Sequence, residues 1–356
     1  MKYLIGTLVV ALYGGIVYYI GWNLKGLLQH YGLFRWPWIY WSVLLFIAFS
    51  FVIAKISPKL DILMLLSYFW MFVMQYGLAL CLIANLLVWL TPLSSKVVGT
   101  SALGIFALLF VMGLYFAYTP VVHKQTITID KEGEPMRVVL GADFHLGYLS
   151  HKGHLEKFVQ LSNEQNPDLV LLAGDIIDDI PKQYINQNMG EVMQQLSSTY
   201  GVYGVLGNHE YYGKQIEEFL VEMEKSNVKI LMDETIELPN GVQLTGREDI
   251  TKKSREAIGS LKPADWSAPW FIMNHTPDDI QVTASAGGDL HVSGHTHRGQ
   301  MWPNQFITQR IFEFDYGYKL VDQMHTIVSS GFGFWGPPTR IGTQAEIWVI
   351  DIQFTK

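Results

Sequence analysis

Four long apolar stretches in the first third of the chain most constrain its fold. They cover residues 3–22, 38–54, 62–90 and 102–118 of the 356-residue chain. A helix needs roughly 20 apolar residues to cross the hydrocarbon core of a bilayer, and the third stretch would span it only if tilted or bent. One such stretch alone could be a buried core helix. Four in succession, with almost no charge, predict an all-α bundle of four transmembrane helices.

The composition changes sharply near residue 120. The first 122 residues contain six of the 25 Lys and Arg residues but only one of the 32 Asp and Glu residues, which leaves the remainder with a formal charge of −12. This balance argues against a nucleic-acid partner, because nucleic-acid binding needs a basic surface. We therefore predict a transmembrane domain over residues 1–122, a second domain over residues 123–356, and a lipid bilayer as a partner. The oligomeric state is left open.

Charge in the loops predicts the orientation in the membrane. An even number of spans places the second domain on the same side as the N-terminus. That side carries four basic residues and the opposite side three, namely Lys2, Lys55, Lys59 and Lys124 against Lys25, Arg35 and Lys96. Because cytoplasmic loops are enriched in Lys and Arg, this count favours the cytoplasm. We expect a multi-pass integral protein of the bacterial cell membrane with its second domain in the cytoplasm.

The second domain alternates strand-like and helix-like segments, and five of its apolar strands end in Asp, Asn or His. Examples are RVVLGADFH, PDLVLLAGDIID and DLHVSGHTH. Continuous apolar runs are typical of buried strands in parallel sheets, and ligands gather beyond the carboxyl ends of such strands. We therefore expect the polar ends to form one site. In chain order they are Asp143 and His145; Asp175 and Asp178; Asn208 and His209; His275; and His295 and His297.

The residue types at these strand ends are typical of a metal centre. Carboxylate and amide oxygens mixed with neutral imidazoles suit Mn²⁺, Fe or Zn²⁺ better than Ca²⁺. The chain has one cysteine, Cys81, which lies in an apolar run, so neither a thiolate cluster nor a disulfide framework is available. The large number of these side chains makes two divalent ions more plausible than one.

Five short motifs in this domain, DFH, GDIID, GNHE, NH and GHTH, resemble those of the calcineurin-like metallophosphoesterases in type, order and spacing. The resemblance covers about residues 136–353. The stretches GHTHRGQMWP and GFGFWGPPTRIG are similar to a membrane-anchored bacterial branch of that family. The resemblance implies an α/β domain with a two-sheet β-sandwich flanked by helices, and a metal-dependent phosphoric ester hydrolase. Two divalent ions are implied as cofactors, with manganese as our first choice.

The same resemblance implies a role for each residue. Three side chains would bind one metal ion, three the other, and one would bridge both: Asp143, His145 and His297; Asn208, His275 and His295; and Asp175. His209 resembles the family's catalytic histidine, which protonates the leaving oxygen or stabilises the charged transition state, with Asp178 holding its ring. The implied reaction is hydrolysis of a phosphate ester or pyrophosphate by attack of a metal-bridging hydroxide.

Three residues beside the motifs are weaker candidates for substrate contact. Arg298 follows the second histidine of GHTH and could meet either a phosphate or a surface acid. His151 and His154 follow the DFH motif and could touch the substrate or lie on the surface of the next helix. The sequence leaves these alternatives open.

The position of the last apolar stretch suggests a class of substrate. Only about 20 residues separate that stretch from Asp143, and a third of the chain is apolar. We therefore predict a phosphorylated lipid, such as a phospholipid, as the substrate. One alternative is a membrane-anchored phosphoesterase for soluble phosphoesters. Another is a non-catalytic metal-binding scaffold, which would be expected to have lost ligands or the catalytic histidine, whereas this chain keeps them.

Overall fold

The structure is a computed structural model that describes residues 2–56 and 61–355. By its contacts the chain divides into two units, Met1–Gly113 and Leu114–Lys356. The first holds the apolar stretches except for the end of the last, because α6 continues to Tyr118, and the second holds all the candidate ligands. Lys59, one of the four basic residues used to predict the orientation in the membrane, lies outside the described residues.

The first unit is helical. By length and composition, three of its described segments could cross a membrane: Ile5–His30, Ile62–Leu90 and Ser95–Tyr118. The second of these is continuous because a π-helical turn joins two α-helices. The elements are α1 (Lys2–His30), α2 (Pro37–Ala48), α3 (Ser50–Ile56), α4 (Asp61–Phe72), the π-helical turn (Val73–Gly77), α5 (Leu78–Leu90) and α6 (Ser95–Tyr118).

The predicted second span, residues 38–54, is divided in the structure. α2 ends at Ala48 and α3 begins at Ser50, so neither helix alone is long enough to cross a bilayer. Phe49 departs from helical geometry, with φ −103° and ψ 10°. The Ser50 hydroxyl donates to the carbonyl of Ile47, a local bond that competes with the helical ladder. The four predicted spans therefore correspond to three long helical segments and one interrupted one.

Polar side chains join the helices of the first unit. The Asn85 amide donates to the Tyr19 hydroxyl over 2.7 Å, which links α5 to α1. The Trp70 indole donates to the Tyr13 hydroxyl over 2.9 Å and links α4 to the same helix. Hydrogen bonds of this kind hold apolar helices together where lipid offers no polar partner.

The second unit is built on two six-stranded sheets. The first sheet has, in spatial order, β1 (Val121–Ile129), β12 (Glu346–Phe354), β2 (Met136–Gly141), β3 (Leu169–Leu172), β4 (Val202–Gly204) and β5 (Val228–Ile230). The second has β10 (Gly317–Val321), β11 (Met324–Val328), β9 (Leu290–Ser293), β8 (Trp270–Met273), β7 (Gln243–Gly246) and β6 (Glu234–Glu237).

The strands that lead to the candidate ligands run parallel within their sheets. β2, β3, β4 and β5 are parallel neighbours, as are β7, β8, β9 and β11. β12 is inserted between β1 and β2, parallel to the first and antiparallel to the second. Parallel strands bring their carboxyl ends to the same edge, which is where the polar side chains lie.

The hydrophobic core lies between the two sheets, and helices cover their outer faces. Val138 and Leu171 of the first sheet pack in one buried cluster with Phe271 and Val292 of the second. The two-sheet α/β fold predicted for this part of the chain is confirmed. Its helices are α7 (Lys152–Asn163), α8 (Lys182–Asn186), α9 (Met189–Met193), α10 (Asn208–Gly213), α11 (Ile216–Lys225), α12 (Ile280–Ser285) and α13 (Gln305–Ile311), with 3-10 turns at Ile258–Leu261 and His297–Gly299.

Candidate metal centre

The seven predicted ligands follow the carboxyl ends of five strands, and the structure brings them together. Six are buried, and the seventh, His295, is partly exposed. After strands β2, β3, β4, β8 and β9 in turn, they are Asp143 and His145; Asp175; Asn208; His275; and His295 and His297.

A first group of ligand atoms comes from the turns after β2 and β9. The Nε2 atoms of His145 and His297 lie 3.0 Å apart. Asp143 Oδ1 lies 3.7 Å from Nε2 of His297. The close approach of two imidazole nitrogens and a carboxylate oxygen is the arrangement that a shared cation requires.

A second group comes from the turns after β4, β8 and β9. The Asn208 Oδ1 atom lies 3.1 Å from Nε2 of His275, and Nδ1 of His295 lies 3.2 Å from the same nitrogen. Nδ1 of His275 meets the carbonyl of Ala173 at 2.9 Å, which orients the ring with Nε2 towards the group.

Asp175 lies between the two groups. Its Oδ2 atom is 3.7 Å from Nε2 of His145 in the first group and 3.3 Å from Nε2 of His275 in the second. Its Oδ1 atom accepts a hydrogen bond from the backbone N–H of His209 over 2.9 Å. One carboxylate is therefore placed where it could serve two cations.

The backbone around the ligands is unusual. Five of them adopt the left-handed conformation that L-residues normally avoid, with φ values of 52°, 45°, 48°, 69° and 46° for Asp143, His145, Asp175, His295 and His297. Glycine is required beside them, because a Cβ atom at Gly207 would lie 2.1 Å from Asp175 Oδ1 and one at Gly294 would lie 2.3 Å from Asp143 Oδ2. Each left-handed residue costs roughly 1–3 kcal/mol, so this geometry lowers the free energy of unfolding of the domain.

The protonation states of these histidines fit a metal site. Burial disfavours the charged ring, so it lowers the pKa of His145 to about 3 and that of His295 to about 4. Burial also holds the pKa of His297 well below its usual range. Neutral imidazoles keep a lone pair for a metal ion at neutral pH.

The carboxylates create a potential that favours a cation. Burial opposes a charged ring at His275, but Asp175 and Asp143 outweigh it and raise the pKa of His275 well above its usual range. Burial, reinforced by the charge of Asp175, raises the pKa of Asp143 to about 7. A divalent ion would relieve both effects, so these residues fit the group that they were predicted to bind.

Comparison with known proteins identifies the domain. Residues 136–299 match the family described as calcineurin-like phosphoesterase. This part of the chain is a calcineurin-like phosphoesterase domain. The predicted resemblance to this family is thereby confirmed, and some of the relatives are described as transmembrane proteins with a metallophosphoesterase domain.

Relatives of this chain occur in bacteria and animals. It is 32% identical over 245 residues to an uncharacterized metallophosphoesterase of Campylobacter jejuni, covering 67% of this chain and 64% of that one. A Helicobacter pylori metallophosphoesterase is 32% identical over 235 residues, or 64% of this chain and 62% of that one. A zebrafish (Danio rerio) transmembrane protein with metallophosphoesterase domain is 29% identical over 268 residues, or 69% and 60%. The chain thus spans under two thirds of the length of these relatives.

His209 lies beside the first ligand group of the phosphoesterase domain. Its ring meets that of His145 edge to face, with centroids 4.7 Å apart. Its Nδ1–H donates to Asp179 Oδ1 over 2.7 Å, whereas Asp178 Oδ1 lies 3.8 Å away. The ring-holding bond that the sequence assigned to Asp178 is therefore made by Asp179, because the turn after Asp178 brings the next carboxylate nearer.

The electrostatics of His209 differ from those of the neutral histidines. Burial opposes its charged form, but the hydrogen bond to Asp179 and the charge of Asp175 outweigh burial and raise the pKa of His209 to about 9. Burial raises the pKa of Asp178 to about 6. Without metal ions, His209 is thus the protonated member of a pair of groups beside the ligands.

The structure places the three weaker candidates in different surroundings. His154 is buried, and its Nε2 lies 3.1 Å from the carbonyl of Phe332, which places its ring in the core. His151 is exposed at the start of α7, where its Nδ1 accepts from the Gly153 N–H. The Arg298 guanidinium stacks over the ring of Tyr316 at 4.3 Å, partly exposed beside His297.

Two residues that sequence reasoning missed support the ligand turns. The Glu210 carboxylate is buried and accepts from the backbone N–H groups of Asp175, Ile177 and Gly207 over 3.2, 3.0 and 2.7 Å. The GNHE motif contains this glutamate, so it could have been found as a buried acid after the catalytic candidate. Arg340 gave no signal in the sequence, because its partners are backbone carbonyls, which every residue carries.

Arg340 is a fully buried cation. Its guanidinium donates to the carbonyls of Ser330, Gly331 and Gly333, with the shortest bond 2.6 Å long. It also lies 3.3 Å from Nδ1 of His297. In the same loop a Cβ atom at Gly331 would lie 2.8 Å from that of Asp143. Arg340 therefore holds a loop that packs against ligands of the first group.

Proposed function

We propose that the protein is a membrane-anchored, metal-dependent phosphoesterase that hydrolyses a phosphate ester or pyrophosphate. The observation that supports this most strongly is the position of Asp175 between two groups of buried ligand atoms, with His209 next to them. Two neighbouring divalent ions are suited to phosphoester hydrolysis, because they can stabilise both the attacking and the leaving oxygen. Mn²⁺, Fe and Zn²⁺ fit the donor atoms, and we propose Mn²⁺ first.

The bound ions and the side chains around them would have different roles in the reaction. Bound divalent ions would supply an activated water and neutralise the phosphoryl oxygens. His209 keeps Nδ1–H engaged with Asp179, so its Nε2 atom is left to donate a proton to the leaving oxygen. Asp175 positions His209 through its backbone, and the buried Glu210 fixes the turn that carries Asp175.

We propose a phosphorylated lipid as the substrate. The last apolar helix ends at Tyr118 and β1 begins at Val121, so the phosphoesterase domain follows the apolar segment without a long linker. A substrate held in the bilayer surface would therefore always be available to this site. The partly exposed Arg298 is our candidate for contact with its phosphate.

The proposed setting is the bacterial cell membrane, crossed several times, with the phosphoesterase domain in the cytoplasm. The excess of basic residues on the side of the N-terminus supports this orientation if residues 37–56 cross the bilayer as a bent helix pair.

The test is turnover of the full-length, Mn²⁺-loaded protein in detergent and in vesicles, against soluble aryl phosphates and phosphorylated lipids. Preferential hydrolysis of lipids is expected. Cleavage of soluble esters alone would mean that the apolar helices anchor the protein and do not select the substrate. Absence of any turnover with two bound metals would instead favour a metal-binding scaffold.

The matched variant for this test is His209→Ala. Loss of a general acid costs roughly 10²–10⁴-fold in rate, so turnover should fall by that factor. Metal content, measured by elemental analysis, should stay at the wild-type level because His209 is not among the predicted ligands. Asp175→Asn is the contrasting variant and should lose metal as well as turnover. Full activity of His209→Ala at wild-type metal content would contradict the role given to His209.

A further inference from the structure

The helix α13 presents an apolar face to its surroundings. Phe306, Ile307 and Ile311 are 61%, 56% and 67% exposed. On the inner side of the helix, the buried Gln305 donates to the carbonyl of Ile341. Isolated apolar residues are ordinary on protein surfaces, but a contiguous group on one short helix marks a contact surface.

Two tryptophans extend this face. Trp302 is 55% exposed and Trp335 is 49% exposed. Gln300 ties their two segments together, since its side chain donates to the Trp335 carbonyl and accepts from the Trp335 N–H, each over 2.9 Å. We call the five side chains Trp302, Phe306, Ile307, Ile311 and Trp335 the α13 surface. Tryptophan is the residue type most typical of the boundary between lipid and water.

The charge of the segment differs from that of the rest of its domain. α13 itself contains Arg310 and no Asp or Glu, and the wider segment 297–315 is formally neutral because Glu313 and Asp315 balance Arg298 and Arg310, whereas the chain after residue 122 carries a formal charge of −12. Arg310 is exposed and lies one helical turn from Phe306. Basic residues set among exposed apolar ones are the pattern of helices that lie on anionic lipid surfaces.

The α13 surface adjoins the metal centre. Phe312, the residue after α13, packs edge to face against the ring of His295, with centroids 5.6 Å apart. The 3-10 turn after His297 also approaches the start of the helix so closely that a Cβ atom at Gly299 would lie 2.5 Å from the backbone of Asn304. Contact at the α13 surface therefore brings its partner next to the candidate ligands.

We infer that the α13 surface contacts the surface of a bilayer that contains anionic lipids. The same chain has three helices long and apolar enough to hold it at a membrane, so this partner is always near. The surface then presents lipid headgroups to the metal centre. The statement that the contacted lipids supply the phosphoester substrate rests on the proposed function.

Fluorescent labels on full-length protein in nanodiscs test the contact. The single cysteine is removed by Cys81→Ser, and a polarity-sensitive probe is attached at Ile307→Cys. Val221→Cys on α11 is the matched control, because Val221 is similarly exposed at 48% but is flanked by acidic residues. In discs of zwitterionic and anionic lipid, the probe at position 307 should shift its emission to the blue and be quenched by spin-labelled acyl chains. The probe at position 221 should do neither.

Two results would overturn the inference. Equal emission and equal quenching at positions 307 and 221 would show that the α13 surface stays in water. A blue shift at position 307 without quenching by lipid, and growing with protein concentration in detergent, would show that a second copy of the chain covers the surface instead.

Kinetics add an independent readout. Ile307→Glu places a charge on an exposed position and should lower the ratio of lipid to soluble-ester turnover about tenfold, as expected for losing one apolar contact with the bilayer. Val221→Glu should leave that ratio unchanged, and an unchanged ratio in Ile307→Glu would contradict the consequence for substrate delivery. If the wild-type protein hydrolyses no ester, the proposed function fails, while the fluorescence result still decides the lipid contact.

Discussion

At the scale of single residues, the orientation of His209 depends on a choice between two neighbouring acids. In the sequence GDIIDD, Asp178 and Asp179 stand side by side, and either could hold the ring. Asp179 adopts a left-handed conformation with φ 61°, and its carboxylate is the one within hydrogen-bond distance. Only the turn geometry distinguishes the two acids.

Substitution of each acid separates their roles. Asp179→Asn should lower turnover roughly 10–100-fold, the usual cost of losing a partner that orients a functional side chain. Asp178→Asn should cost less, because the 3.8 Å separation from His209 Nδ1 is too long for a hydrogen bond. The measurement is turnover at matched metal content across a range of pH. A larger loss in the Asp178 variant would restore the assignment made from sequence.

The ligands themselves could be predicted because their signal is local. A buried strand needs turn residues at its end, but nothing in packing demands imidazoles there, so His275, His295 and His297 stand out in the sequence alone. Asp249 carries the same signal after β7 and was overlooked; it is buried and accepts from the Thr276 hydroxyl over 2.6 Å. Left-handed backbone angles could not be predicted, since they follow from the packing of both sheets around each turn.

At the scale of elements, the loop from Ser329 to Arg340 was the least predictable part of the site. Its glycines and aromatic residues form no pattern that distinguishes an apolar surface groove from core packing for Phe332 and Phe334. The structure buries both phenylalanines and makes the loop a support for Asp143. Arg340 holds this arrangement through carbonyls, and such partners leave no pattern in a sequence.

Removal of the Arg340 guanidinium should destabilise the domain. Arg340→Met leaves the carbonyls of Ser330, Gly331 and Gly333 without their charged donor, at roughly 1–3 kcal/mol for each buried group left unsatisfied. The melting temperature should fall by several degrees in differential scanning calorimetry. Metal affinity, measured by titration calorimetry, should weaken as well. Arg310→Met, at an exposed arginine, is the control and should melt as the wild type does.

The first strand of the phosphoesterase domain carries a pH-dependent contact. His123 Nε2 lies 3.3 Å from Glu346 Oε2, and this hydrogen bond raises the pKa of His123 despite the burial of its ring. Since the folded pKa exceeds the unfolded value of about 6.5, the contact stabilises fully below that pH and is lost as pH rises through the folded pKa.

His123→Gln should therefore lower the melting temperature most in mildly acidic buffer, with a difference from wild type that shrinks in alkaline buffer. The measurement is thermal unfolding of both proteins across the pH range. A difference that stays constant with pH would mean that the contact does not depend on the charge of His123.

Among the elements of the first unit, composition predicted helices but not their interruption. The stretch 38–54 is uniformly apolar, so the break at Phe49 has no hydrophobic signature. The break follows from local bonding by Ser50 and from packing of Leu44 and Ala48 against Val17 and Trp70. The length of this apolar stretch therefore overestimates the length of the continuous helix that it forms.

At the scale of the whole molecule, the divided segment decides the topology. If residues 37–56 cross the bilayer, the loop at residues 31–36 and the phosphoesterase domain lie on opposite sides. If they do not, both lie on the same side. Single cysteines at the exposed Leu33 and Val221, in the Cys81→Ser background, report this through a membrane-impermeant maleimide.

We expect opposite sides, with Leu33→Cys labelled in intact cells and Val221→Cys labelled only after permeabilisation. Labelling of both in intact cells would mean three crossings and a phosphoesterase domain outside the cytoplasm. Such a result would not affect the assignment of the metal centre. It would mean that the lipid substrate lies in the outer leaflet of the membrane and not in the cytoplasmic leaflet.

The position of β12 between β1 and β2 has a consequence for how the chain is made. β1 and β2 are near neighbours in sequence and antiparallel to each other, yet in the finished sheet they are separated by a strand whose residue Glu346 pairs with Val121. At ordinary rates of synthesis, Glu346 emerges about 10–45 s after Val121. During that delay β1 and β2 are free to pair with each other as a non-native hairpin. If they do so, the hairpin must open before β12 can take its place between them.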